Sequence, residues 1–217
     1  SKQAVDTLLS VPNQRTTIGF RDYTLMLLLY STAVRINELL TLKIGNIVLN
    51  CAKPHITVVG KGRKKRPIPL LAKPIQYLQK YLAEHHPNSD DAEAVLFCSK
   101  SKGVYAPMSA ENVNKMLKRY AKKAHEKCGD VPLDIHAHQF RHAKASHWLE
   151  NGMNIAQISF LLGHENIQTT MVYLDITTEQ EEKALETLEN EKQRRVEKKW
   201  KTVAGKTELE VFLGLHK

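Results

Sequence analysis

Apolar positions along this chain follow two rhythms, a helical one and an alternating one, and the switches between them outline the elements. From Gly19 to Thr32 the sequence is apolar on nearly every side, through Phe20, Leu25, Leu27, Leu28 and Leu29. A helix of that kind lies in the middle of a protein. Ser31-Thr32-Ala33 interrupts it, and a second short helix runs through Leu42. The rhythm then shortens: His55–Gly60 and Arg66–Leu70 read as a hairpin around Lys61-Gly62-Arg63-Lys64. Pro67 and Pro69 cannot donate to a ladder, which puts the second strand at a sheet edge. Helical spacing returns over 73–85, His86–Asp91 is loop by composition, and Val95–Cys98 reads as a short strand. Ser109 is suited to cap a helix running to about Lys127. Ala137–Asn151 and Asn154–Leu162 are helical and closed by Gly152 and Gly163, and a further helix carries Tyr173. Thr177 to about Lys201 is rich in Glu, Lys and Arg and reads as a solvated or docking helix. The expected class is mostly α with a small antiparallel β-sheet (α+β), without internal repeats.

Composition narrows the partners. The longest apolar run, Leu25–Tyr30, falls well short of the ~18 residues a membrane span requires, and no export signal opens the chain. No membrane partner is expected. Cys51, Cys98 and Cys128 are odd in number and form no CxxC pair, so they read as reduced thiols of a cytoplasmic protein. The net charge is +9 and the pI about 9.4. The basic residues cluster at Lys61–Arg66, Lys115–Lys127 and Lys192–Lys201, which favours a polyanionic partner.

Some polar residues stand where the pattern wants apolar ones. Arg35 precedes Leu39 by four and Leu42 by seven, on the inward stripe of the short helix, with Glu38 beside it. Stepping back from Ala145, Trp148 and Leu149 on the 137–151 helix leads to Arg141 and then His138. An inward guanidinium requires an anion. A bland answer is that Arg35 simply pairs with Glu38. Two such arginines, one with a histidine a turn away, instead suit the non-bridging oxygens of a phosphodiester. They would stabilise a pentavalent transition state without metal. His136, His138, His142 and His147 are dense enough to suggest a metal, but they fall on different faces and form no HExxH pattern, so no metal is expected. His164 follows Gly163 and precedes Tyr173 by nine residues.

Together these residues resemble the tyrosine recombinase, or phage integrase, family. Its first box resembles Thr32-Ala33-Val34-Arg35-Ile36-Asn37-Glu38-Leu39, with Ala33 in place of a usual Gly. Its hairpin box resembles Gly60-Lys61-Gly62-Arg63-Lys64-Lys65-Arg66 followed by Pro67-Ile68-Pro69-Leu70. The third resembles His138-Gln139-Phe140-Arg141-His142, entered through His136 where Thr or Pro is usual, and the fourth Leu162-Gly163-His164 with Tyr173 nine residues on. Any one box is weak; in this order they are specific.

The resemblance implies a site-specific DNA recombinase that cleaves and rejoins DNA through a 3′-phosphotyrosine link, for integration or excision of a phage or mobile element. The alternatives are a chromosome-dimer-resolving Xer-type recombinase, a type IB topoisomerase, or a DNA-binding module without catalysis. Arg35 and Arg141 would hold the phosphate. His138 and His164 would hydrogen-bond it, and His138 would also take the tyrosine proton. Lys61, favoured over Lys64, would protonate the leaving 5′ oxygen, and Tyr173 would attack. Glu38 and His142 would steady the site. Lys64, Arg66, Lys115, Lys118, Arg119 and Lys122 would meet DNA. The partners implied are double-stranded DNA and further copies of the chain, a tetramer on DNA and a monomer without it. No cofactor is implied. Residues 1–176 would form the catalytic domain and 177–217 a helical tail docking in cis or on a neighbouring protomer, with Val211, Phe212, Leu213 and Leu215 as its anchor. The family's N-terminal core-binding domain is not expected within this sequence.

Overall fold

The helix that the sequence marks as buried all round is the axis of the structure. A computed structural model describes residues 1–87, 91–101, 104–164, 166–171 and 173. The central helix is the second: α1 spans Lys2–Leu9 and α2 spans Thr17–Thr32. Thr16 caps α2 by accepting the Gly19 amide at 3.1 Å, and Ala33 closes it in the left-handed region at φ 52°. Along α2, Phe20, Leu25, Met26, Leu28 and Leu29 are buried, and α4 (Ala72–His85) and α6 (Ala137–Glu150) both pack on it. Helix α5 (Ala110–His125) lies against α1 and α6 and is capped by Ser109, whose Oγ accepts the Asn112 amide at 3.2 Å. A polar tie joins α5 to α2. Asp22 is fully buried, and it accepts from the Tyr120 hydroxyl at 2.8 Å and from Arg21 at 2.7 Å. An acid so placed is tolerable only when its oxygens are met this way.

The sheet is antiparallel, in the order β1 (Ile47–Val48), β2 (His55–Val59), β3 (Lys65–Pro69). Strand β3 is at the edge, where its two prolines leave no ladder bond unmade. Ile56 opposes Ile68 and both are buried, so this face of the hairpin is pinned to the core. A second hairpin pairs β4 (Cys98–Ser101) with β5 (Val104–Pro107).

The sequence reading differs from this in five elements. Short amphipathic α1, two-residue β1 and strand β5 carry too little pattern to register. The strand expected at Val95–Cys98 starts at Cys98, Val95 making only an isolated bridge to Lys43. The helix expected through Leu42 is a five-residue α3, Ile36–Leu40. The remaining helix, α7, spans Ile155–Leu162, capped by Asn154 and ended by Gly163 at φ 64°.

Residues 168–171 and Tyr173 are helical, and Ser1–Tyr173 form one compact unit. The expected tail at 177–217, with its anchor residues, lies outside the described residues. Among these residues no helix is long and apolar enough to cross a membrane, and the three cysteines are unpaired.

Two substitutions on α2 test its placement. Leu28 is fully buried and Ile18, on the same helix, is 60% exposed. Leu28→Ala is expected to cost about 2–5 kcal/mol in denaturant unfolding, whereas Ile18→Ala changes stability by no more than about 0.5 kcal/mol.

Candidate active site

The site is assembled where four chain segments end. Ala33 closes α2, Arg35 precedes α3, the β2–β3 turn comes up beside them, and α7 stops at Gly163. The buried carboxylate of Glu38 holds two of these together. It accepts the Arg35 amide at 2.9 Å, completing the start of α3, and the Arg35 guanidinium at 3.2 Å. From β3, Arg66 meets both of its oxygens, at 3.0 and 2.8 Å. Burial pushes the Glu38 pKa up, but the Arg66 hydrogen bonds, the Arg35 amide and the two guanidinium charges outweigh it and hold the carboxyl below its ordinary value.

Arg66 therefore points inward, which corrects its expected place among the surface DNA contacts. Strand alternation carried the signal, since Arg66 lies two residues from buried Ile68, on the same face. Arg66 also explains Gly163. A Cβ there would stand 2.7 Å from the Arg66 Cζ, and φ 64° independently disfavours any side chain.

Arg141, from α6, is buried and donates to the carbonyls of Ala33 at 2.9 Å and Leu162 at 2.6 Å. It thus ties the end of α2 to the end of α7. Burial first, then the Arg35 charge, push its pKa down to about 10, so it stays cationic at neutral pH. Arg35 departs from expectation. It stands before the first turn of α3, in extended backbone (φ −68°, ψ 145°), so the stripe through Leu39 does not pass through it. Its side chain is 43% exposed. The guanidinium reaches the Gly163 carbonyl at 3.5 Å and lines an open pocket of about 590 Å³ with Glu38, Gly60, His138 and Arg141.

Three guanidiniums and one carboxylate leave this corner with a surplus of two positive charges. His164 Nδ1 meets the hydroxyl of buried Thr170 at 2.8 Å. Burial and the charges of Arg141, Arg35 and Arg66 push the His164 pKa down to about 4, so its ring is neutral at physiological pH. Thr170 escaped the sequence reading, although it lies one helical turn before Tyr173.

Tyr173 is 4% exposed, its ring packed with Ala33, Ala145, Ile158 and Leu162. Its hydroxyl is 2.9 Å from His142 Nδ1. Of the hairpin lysines, the Lys61 backbone lies in the turn 61–63, with its side chain outside the described residues; Lys64 is exposed, and its carbonyl accepts the Gly60 amide at 2.9 Å. On α5, Lys115 pairs with Glu111, Lys118 with Asp134 at 2.6 Å, and Arg119 reaches buried Asp22 at 3.6 Å; Lys122 is exposed. His136 begins α6, and His147 meets the Tyr30 hydroxyl at 2.8 Å.

Comparison with known proteins follows the same lines. The sequence profile of the phage integrase family matches residues 1–180. The tyrosine recombinase XerC of Chlamydia caviae is 31% identical over 179 residues, 81% of this chain and 53% of that protein. The tyrosine recombinase XerA of Pyrococcus horikoshii is 36% identical over 169 residues, 77% of this chain and 55% of the relative. The chain thus spans about half the length of the curated relatives it matches. Among solved structures, a XerA recombinase superposes with a TM-score of 0.66 at 26% identity, covering 80% of this chain and 57% of the other. A XerH recombinase bound to a palindromic difH substrate, in its post-cleavage complex, gives 0.67 at 23% identity, covering 87% and 51%. The latter likeness speaks for the fold.

The Glu38 network makes a pH prediction. With its folded pKa below the ordinary 4.5, the carboxylate contributes fully above the unfolded value and loses its contribution as pH falls through the lower folded value. Glu38→Gln is expected to cost about 3 kcal/mol at neutral pH by leaving Arg66 buried beside a neutral group. Chemical unfolding from pH 7 to 3 should show the gap between wild type and variant narrowing with acid; a gap that stays constant rejects the network's role.

Proposed function

The chain belongs to the phage integrase family, and from that premise we propose that it is the catalytic domain of a site-specific DNA recombinase working through a phosphotyrosine intermediate. One observation carries the proposal: Arg35 and Arg141, far apart in sequence, line one open pocket that is short of negative charge. A phosphodiester supplies what the pocket lacks. Its two non-bridging oxygens would take the guanidiniums, whose charge grows in value as the phosphorus becomes pentavalent. His138 and His164 would donate to the same oxygens, the latter as a fixed neutral donor. Lys61 would protonate the departing 5′ oxygen, with Lys64 as the other candidate on that turn. Attack by Tyr173 conserves the phosphoester energy in a 3′-phosphotyrosine, so rejoining requires no nucleotide cofactor. Because the phenol is buried, it has to leave its apolar cluster to reach the phosphate.

Double-stranded DNA is the proposed substrate, handled by a tetramer on DNA and by a monomer without it. Residues 1–176 are the proposed catalytic domain and 177–217 a tail that docks in cis or in trans. As to biological role, relatives at 31–36% identity carry Xer names, which favours the chromosome-resolving reading beside that of mobile-element integration. On α5, the amines of Lys115, Lys118 and Lys122 are the proposed phosphate contacts. Arg119, tied to Asp22, would serve both DNA and fold.

Covalent capture tests the chemistry. The protein is mixed with a pool of nicked duplexes of random sequence, and SDS-resistant adducts are recovered and amplified. Wild type is expected to enrich one site, Tyr173→Phe to yield no adduct, and Arg35→Ala or Arg141→Ala to slow adduct formation at that site at least ~100-fold. Equal yields from wild type and Tyr173→Phe would refute the proposal.

Salt dependence tests the role of α5. Each amine that no longer meets a phosphate should flatten the slope of log K against log salt by about 0.9. Lys118→Ala combined with Lys122→Ala is expected to flatten it by roughly twice that. An unchanged slope removes α5 from the interface.

A further inference from the structure

The imidazole that faces the pocket is not the one that meets the nucleophile. Both are on α6, one turn apart. His138 lines the pocket with Arg35 and Arg141, whereas His142 shares a hydrogen bond with the Tyr173 hydroxyl, 2.9 Å from its Nδ1. The two rings touch edge to face, with centroids 4.4 Å apart. We propose that His142, and not His138, is the base that takes the phenol proton of Tyr173. This rests on the reading of Tyr173 as the nucleophile and goes beyond it by moving the proton to a different residue.

Reach is the first ground. A general base has to lie within hydrogen-bond distance of the proton it removes, and His142 does so in the resting position of Tyr173, from which the phenol swings toward the phosphate. Charge is the second. Burial comes first among the causes that lower the pKa of each ring. The two rings face each other equally; beyond that shared contact a protonated His138 would face Arg141 and Arg35, whereas a protonated His142 would face Arg141. Nearby cations oppose a further positive charge, so the ring with one arginine beside it, rather than two, is the less costly one to protonate. Protonation state is the third. Burial raises the Tyr173 pKa, against the pull of Arg141, and burial with Arg141 lowers that of His142. The resting pair is therefore a neutral phenol and a neutral imidazole. With the phenol donating to Nδ1, the imidazole's own proton sits on Nε2. Finally, His142 is exposed while Tyr173 is buried, so solvent can exchange a proton on the ring without opening the tyrosine's cluster.

The step balances. The phenol O–H proton passes to His142 Nδ1 as the Tyr173 oxygen bonds to phosphorus. The bond from phosphorus to the 5′ oxygen breaks, and that oxygen takes a proton from the hairpin lysine. On rejoining, the 5′ hydroxyl returns its proton to the lysine, and His142 returns its own to the departing phenolate. The groups facing His142 are His138 and Arg141 on α6 and Tyr173 on the last helix, so Arg141 is the charge that keeps its pKa low.

The experiment measures single-turnover cleavage against pH, using the full chain and the duplex that wild type enriches by covalent capture. In wild type, the rate is expected to rise with pH through a midpoint below the ordinary histidine value of 6.5 and then level off. His142→Asn preserves the size and polarity of this exposed position, and circular dichroism with thermal melting verifies that it folds. Its rate should fall by about 100-fold or more at neutral pH. The levelling-off should vanish, with the rate climbing instead toward the phenol's own raised pKa. His138→Asn should retain the wild-type midpoint whatever its rate. Replacing Tyr173 with a fluorinated tyrosine of lower phenol pKa should restore most of the His142→Asn loss, which repair of a merely structural defect would not. A His142→Asn enzyme that cleaves as fast as wild type, or faster, or that retains the wild-type pH midpoint, overturns the assignment. So does loss of that midpoint in His138→Asn alone. If wild type itself forms no adduct, the nucleophile reading fails, and this assignment fails with it.

Discussion

One buried carboxylate organises this fold's functional end. Glu38 sits between Arg66 of the edge strand and Arg35 at the start of α3, and it is met on both oxygens. A buried ion pair adds little net stability over apolar packing, yet removing one partner is costly. Such a pair is better understood as a locator. It fixes the β2–β3 hairpin, and with it the turn bearing Lys61, against the segment bearing Arg35. Arg66 then fills the space above Gly163, so the end of α7 is located by the same contact. Three of the four sequence boxes converge on one guanidinium. The fourth joins through Arg141, whose two carbonyl bonds span Ala33 and Leu162.

That arrangement shows why the arginines differ in kind. Arg66 is neutralised in place and has no charge to offer a substrate. Arg141 is buried and, among the described residues, its hydrogen bonds go to carbonyls, so its full charge remains while its geometry is set. Arg35 shares Glu38 with a competitor and keeps an exposed face. Of three guanidiniums in one corner, two thus present surplus charge to the pocket, and the third holds them there.

Most of the helical frame was legible in the sequence, because α2, α4, α5, α6 and α7 each carry a long periodic pattern or a clear cap. Ser109, Gly152 and Gly163 sit as the pattern predicted. Short elements were not legible: α1 has eight residues, β1 two, and a local pattern of that length is ambiguous. Arg35 and Arg66 illustrate two different failures. The helical stripe through Leu39 and Leu42 does not reach Arg35, because the left-handed Ala33 and the extended Arg35 break the helix first. For Arg66 the period-two signal existed but was outweighed by the basic neighbours in its cluster. The boxes themselves were readable as a set because each encodes a local necessity, such as the left-handed turn at Gly163. The tertiary partners of Arg66, His164 and Tyr173 were not, since each pairs with a residue whose position only the packed structure determines.

The three histidines near the arginines make the general point about such sites. They share a side-chain type and a neighbourhood, yet the number of arginines beside each grades what it can do. His164, beside Arg141, Arg35 and Arg66, is held to about 4 and can act only as a neutral donor or acceptor. His138 faces two arginines, His142 faces one arginine and the phenol, and the two imidazoles face each other. A site built to bind an anion penalises every added proton, and the penalty falls with distance from its centre. The proton that chemistry must remove is therefore best received at the rim. There Tyr173 already makes its hydrogen bond, and there a transient positive charge would compete least with the charges that the proposed phosphate would take.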